Sequence, residues 1–227
     1  MEDIAVWVSS LPESWTRGCG PRVFAAAREA YGSAGRFYHT WDHVLDCVEK
    51  LGHFPEAGRA SFLALLFHDA VYVAGRKDNE ARSAALAIEV LRRDARVEAG
   101  ELQAVERMIL ATRDHRLAPG EHDAAVALVL DVDMSVLGAA PQTYRRYAEG
   151  VRAEYVPAAA SATQFAAGRM AFLSRLLGPE PVFHTAQGFA RWERAARENV
   201  ARELAELRKG SGFLARLLAR LRQSTTP

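Results

Sequence analysis

At 227 residues the chain is long enough to bury one sizeable core and somewhat long for a typical single domain, so one large domain is the default. Hydrophobic residues at 49% and charged residues at 25% exclude a disordered or fibrous chain, and 29 Lys+Arg against 28 Asp+Glu, a formal net charge of +1, gives no broad nucleic-acid surface. Two cysteines, Cys19 and Cys47, make no disulfide framework and are expected as free thiols in a reducing cytosol.

In chain order, the opening stretch MEDIAVWVSSLPESW begins with acids and lacks the basic and long apolar regions of a signal peptide. No later stretch has the apolar length of a transmembrane segment, so a cytoplasmic location is expected. Alternating Val/Ile/Thr/aromatic runs are absent, while Ala, Leu, Arg and Glu dominate, and these favour helices. Helical spacing of apolar residues predicts helices at Val23–Tyr31, Thr40–Leu51, Arg59–Val73, Asn79–Arg93, Gly100–Thr112, Asp123–Leu137, Gln142–Tyr155, Ser161–Leu177 and Ala186–Leu207. The short Gly/Pro segments GSAGR, FPEAGR, VAGRKDN, LAPGEHD and LGPEPVF separate them. The fold class is therefore all-α, a single bundle of about nine or ten helices over residues 1–210. A hinge-like KGSG leads to a basic amphipathic helix or tail at 211–227, carrying Arg216, Arg220 and Arg222 and no acid.

Ionisable residues interrupt three of the apolar helices. In RFYHTWDHVLDCV, His39 and His43 stand four apart, a little over one helical turn, so two imidazoles on one face can share an ion or divide holding it from working beside it. In ALLFHDAVYVAG, His68 and Asp69 end an apolar run, where an unpaired buried charge is costly and coordination of a divalent ion is one way to satisfy both. In LVLDVDMSVLG, Asp131 and Asp133 are two apart, so on a helix only one of them faces any given site.

The order His, then His-Asp, then Asp on an all-helical scaffold resembles the HD-domain metal-dependent phosphohydrolase superfamily, and YHTWDH is similar to the Tyr-His-Asn-x-x-His stretch of the class I cyclic nucleotide phosphodiesterases. RFYHTWDHV, FHDAVY, DNEARSA, ATRDH and DVDMSVLG, in that order, resemble a bacterial group of predicted HD phosphohydrolases, the likeness running from about Arg36 to Leu137. It implies that His39 donates a proton to the leaving group and that His43, His68, Asp69 and Asp133 hold the metal; Asp131 is left as a candidate to stand behind the ligands, to cap or to face solvent. Thr40 replaces the Asn of the cyclic nucleotide enzymes, and no counterpart of their glutamine-and-aromatic clamp is evident in the sequence, so a cyclic nucleotide is not implied.

The chemistry fits independently of the name. Two His and two Asp around one or two divalent ions (Mn, Mg, Zn, Fe, Co or Ni) leave room for water, whose lowered pKa makes hydroxide available to attack a phosphate ester of a nucleotide or related small metabolite. Asp69 can also bridge a second ion. His115 is a candidate contact to a second metal or to phosphate, and Glu80 a candidate partner behind a ligand His. Arg36 and Lys77 are candidates for holding the anionic substrate. Asp78 or Asn79 reads as a helix cap, His122 as exposed near a helix start, and His53 and His184 as structural or exposed. The alternatives are a diiron oxygenase, which needs further ligands such as His115 and His122, and a protein that binds metal or nucleotide without turnover.

Overall fold

A computed structural model of the chain describes residues 4–117, 120 and 123–224, with 211–224 as helical backbone only; His122 lies outside the described residues. These form α1 (Ile4–Ser10), α2 (Glu13–Thr16), α3 (Pro21–Ala30), α4 (Trp41–Leu51), α5 (Arg59–Phe67), α6 (Asn79–Asp94), α7 (Ala99–Ala111), α8 (Ala124–Met134), a 3-10 turn (Ser135–Gly138), α9 (Pro141–Tyr155), α10 (Ala162–Leu176) and α11 (Ala186–Ser224). The fold is all-α. Among the described residues the one pairing of β type is an isolated bridge between Cys19 and Ala95. No single helix there is long and apolar enough to cross a membrane.

The expected helices stand, with shifted ends, and the helices beyond the expected number are α1 and α2. Ile4, Trp7, Val8 and Leu11 recur at helical spacing and pack against the main core, so α1 follows the same rule on a shorter stretch. At the other end, α11 runs without a break through Lys209, Gly210, Ser211 and Gly212, where the sequence reads as a hinge.

Two helices are apolar on every side. Residues Ser61 through Phe67 of α5 are all buried, and so are Val126 through Val132 of α8, which places both in the middle of the bundle. The helix α4 packs on both of them, burying Val44, Cys47, Val48 and Leu51. Truncating a fully enclosed side chain such as Leu65 or Leu130 to Ala would cost about 2–5 kcal/mol. A second apolar cluster joins α9, α10 and α11 through Tyr144, Leu173, Ala196, Val200 and Leu204. The two cysteines are free, Cys47 buried and Cys19 half-buried.

The helix α5 stops at Phe67, before the expected Val73, because other groups claim the next backbone atoms. Arg36 donates to the carbonyls of Asp69 and Ala70 at 2.8 Å each, Ser83 Oγ accepts from Val71 N at 3.0 Å, and Asn79 Oδ1 accepts from Val73 N at 3.0 Å. His68 and Asp69 thus sit on the turn that leaves a core helix. Asp78 occupies the cap position of α6 while its carboxylate pairs with Arg76.

Candidate metal centre

His43 comes from the first turn of α4, His68 and Asp69 from the end of α5, and Asp133 from the last turn of α8, so the three central helices each deliver a donor to one point. His43 Nε2 lies 3.1 Å from His68 Nε2 and 3.2 Å from Asp133 Oδ1; His68 Nε2 lies 3.1 Å from Asp69 Oδ2 and 3.4 Å from Asp133 Oδ1. Donors bonded at roughly 2.0–2.2 Å to a common ion stand about 2.8–3.6 Å from one another, so these four separations suit one ion. His43 Nε2 to Asp69 Oδ2 is longer, at 3.9 Å. The groups His43–His68–Asp69 and His43–Cys47–Asp133 are both placed to hold a metal ion. Cys47 Sγ lies 3.7 Å from His43 Nδ1.

The orientation of the rings is fixed from behind. His68 Nδ1 donates to the Leu65 carbonyl at 2.9 Å, which leaves Nε2 turned to the centre. Two buried imidazole nitrogens 3.1 Å apart need a proton or a cation between them. Burial resists a charge on His68, but Asp69 and Asp133 outweigh it and raise its pKa well above the usual histidine range; burial and the His68 charge lower that of His43. The two carboxylates are pulled down in spite of burial, chiefly by His68.

His39 does not join this set. Its Nδ1 donates to Glu154 Oε2 at 2.6 Å, its ring stacks on Tyr72 with centroids 4.1 Å apart, and its Nε2 stands 3.9 Å from Asp69 Oδ2. Burial works against charging this imidazole, and the carboxylates of Asp69 and Glu154 reverse the balance and raise its pKa. Glu154, whose carboxylate is fully enclosed, also accepts at Oε1 from the backbone N–H groups of Phe37, Tyr38 and His39 at 2.8, 2.8 and 2.9 Å. It belongs to α9, far along the chain. One signal points to it: Gly150, one turn earlier, where a Cβ would stand 3.1 Å from Tyr38 Cβ and 3.2 Å from the Phe37 carbonyl. A glycine inside a helix costs about 1 kcal/mol relative to alanine, and here it lets α9 close on the His39 loop.

Two candidate residues have partners within the fold. The Arg36 guanidinium donates to the carbonyls of His39, Asp69 and Ala70 at 2.8 Å each and lies over Tyr31 and Tyr72, tying the His39 loop to the Asp69 turn. Asp131, buried on α8, accepts from His184 N at 2.7 Å, Thr185 N at 2.8 Å and Thr185 Oγ1 at 2.6 Å, capping the start of α11. Lys77 is exposed and does not line the cavity.

His115 does reach the centre. It holds a positive φ of 49°, uncommon outside glycine, and its Nε2 is 2.8 Å from Asp133 Oδ2. Glu80 stands on the cavity wall and makes no hydrogen bond to a ligand His; its carboxyl is raised by burial and the Asp69 charge, with His115 and Arg113 pulling the other way.

A cavity of about 510 Å³ opens onto His39, Asp69 and Asp133 and continues between α9 and α10. Comparison of the chain with protein-family models, curated proteins and solved structures finds no match.

Proposed function

We propose that the chain is a metal-dependent phosphohydrolase of the HD type that acts in the cytoplasm on a phosphate ester of a nucleotide or related small metabolite. One observation carries this reading: Asp69 and Asp133, two members of a donor cluster drawn from three core helices, line the same cavity as His39, whose imidazole is held from behind by Glu154. A divalent ion held by His43, His68, Asp69 and Asp133 supplies positive charge for a phosphoryl oxygen and makes water a stronger acid.

The chain's own groups do the rest. Glu154 holds the Nδ1 hydrogen of His39, which leaves Nε2 to carry a proton into the cavity and give it to the departing oxygen. Asp69, 3.9 Å from that nitrogen, favours its protonated form. Arg36 keeps the two segments in register by binding both backbones. Tyr72, flat against the ring, limits its swing.

The test is a screen of phosphomonoesters and phosphodiesters on metal-analysed protein, with Mn, Mg, Co, Ni, Zn and Fe each supplied. Metal-dependent release of phosphate or alcohol is expected. Oxygen consumption by the iron form would instead favour the oxygenase, and tight ligand binding without turnover at every ion would favour a binding protein.

A further inference from the structure

The cavity is far larger than a phosphoryl group needs, and its volume of about 510 Å³ falls in the range of sites that enclose a whole small molecule. Its two ends differ in chemistry. The inner end carries His39, Asp69 and Asp133, whereas the wall built by α9 and α10 carries Tyr147, Tyr155, Phe165 and Phe172. Tyr155 and Phe165 pack with centroids 5.7 Å apart, joining the end of α9 to α10. Arg175 lies over the Phe172 ring at 5.4 Å, so a planar cation borders the same wall.

Two polar groups of this wall are engaged within it. Arg169 is buried and its guanidinium donates to Glu203 at 2.9 and 3.0 Å and to the Tyr147 hydroxyl at 3.0 Å, so α11 and α9 hold it in place. Gln164 gives its carbonyl to the backbone N–H of Ser161 in the capping box that starts α10. A polyhydroxylated body would lose hydrogen bonds to water against the faces of these rings and find no replacement on them. A flat aromatic body needs none, and rings and a guanidinium face are surfaces on which it stacks.

Resting on the phosphohydrolase reading, we infer that the α9–α10 wall is a subsite for a flat aromatic ring in the leaving group, with Tyr155, Phe165 and Phe172 as its specificity-determining residues. The ester then lies with its phosphoryl at the donor cluster and its ring between α9 and α10.

The minimal pair that reads this out is AMP against ribose 5-phosphate, which share the ester and differ by the base. Stacking of a base on aromatic side chains predicts a kcat/KM ratio of about ten- to a hundredfold in favour of AMP, and Phe165→Leu, which keeps the apolar volume and removes the ring, lowers that ratio by about tenfold. Thermal midpoints and helical circular dichroism of the variant establish that it is folded, and Phe172→Leu gives a second position. Equilibrium binding of both compounds to metal-free protein is measured alongside. AMP bound better than ribose 5-phosphate, with neither hydrolysed, leaves the subsite standing and counts against phosphomonoester hydrolysis. Equal turnover of the two, or a ratio untouched by both variants, overturns the subsite and leaves the hydrolase reading in place. Equal binding without turnover overturns the subsite.

Discussion

The Nδ1 of His39 donates to the Oε2 of Glu154 across 2.6 Å, although the two residues are 115 positions apart in the chain. The same carboxylate takes three backbone N–H groups of the segment that carries His39, so it fixes both the ring and the loop beneath it.

Replacing Glu154 by Gln keeps an acceptor for the backbone and removes the negative charge behind the imidazole. Turnover should fall by about a hundredfold while metal content stays at the wild-type level, since none of the four donors is touched. Metal analysis beside steady-state kinetics checks this. A loss of metal equal to the loss of rate would place Glu154 in the ion site instead.

The pair His39 and His43 should separate by variant. His43→Ala loses the ion, because it removes the donor that stands 3.1–3.2 Å from His68 and Asp133. His39→Ala keeps the ion and loses about a hundredfold to ten-thousandfold in turnover on esters with poor leaving groups. The deficit shrinks on nitrophenyl phosphate, whose leaving group departs with little protonation. An equal deficit on both kinds of ester would rule out proton delivery by His39.

Glu154 also predicts a pH dependence of stability. Burial pushes its carboxyl up, but the His39 hydrogen bond and charge and the backbone N–H groups of Tyr38 and His39 outweigh it and hold the pKa at about 2, against 4.5 for the free group. A carboxyl whose pKa is depressed by folding stabilises the fold above its unfolded value, and that contribution is lost as pH falls from about 4.5 toward about 2. The gap in denaturant midpoint between wild type and Glu154→Gln is therefore expected in full at about pH 6 and much reduced at about pH 3. A gap that does not change with pH would mean that the charge contributes nothing.

Ion removal should destabilise the chain. Asp69 and Asp133 face two imidazoles in a buried place, and a ligand that binds the folded form at a hundred times its Kd adds about 2.7 kcal/mol. A chelator should lower the thermal midpoint of wild type and leave that of Asp69→Ala unmoved. An identical drop in both would assign the effect to another site.

Asp131 and Asp133 should have opposite signatures. Asp131→Ala strips three hydrogen bonds from the start of α11 and costs about 1–3 kcal/mol in stability, with metal content kept. Asp133→Ala loses metal. Scanning calorimetry and metal analysis on the two variants decide it, and the reverse pattern would exchange their roles.

How far the sequence reached follows from the kind of interaction. His68, Asp69 and Asp133 are legible because they end or interrupt helices that are otherwise largely apolar, and His43 because it falls on the apolar face of the amphipathic α4, where a polar residue without a partner is costly. Which of Asp131 and Asp133 faces the site is not, since helical spacing separates the two without saying which side is which. Arg36 and Glu154 escape for another reason: their partners are largely backbone atoms, and a carbonyl or N–H group has no letter in the sequence. The aromatic wall of α9 and α10 is hidden because Tyr147, Tyr155, Phe165 and Phe172 look like ordinary core positions until a cavity is found beside them.

Asp131 and Asp133 also make α8 a lever with a load at each side of its last turn. One carboxylate anchors the first residues of α11, and Gly188 lies so near that a Cβ there would stand 2.3 Å from Asp131 Oδ2; the other carboxylate belongs to the donor cluster. A side chain forced in at position 188 would therefore push on the Asp131 carboxylate and loosen its hold on the first residues of α11.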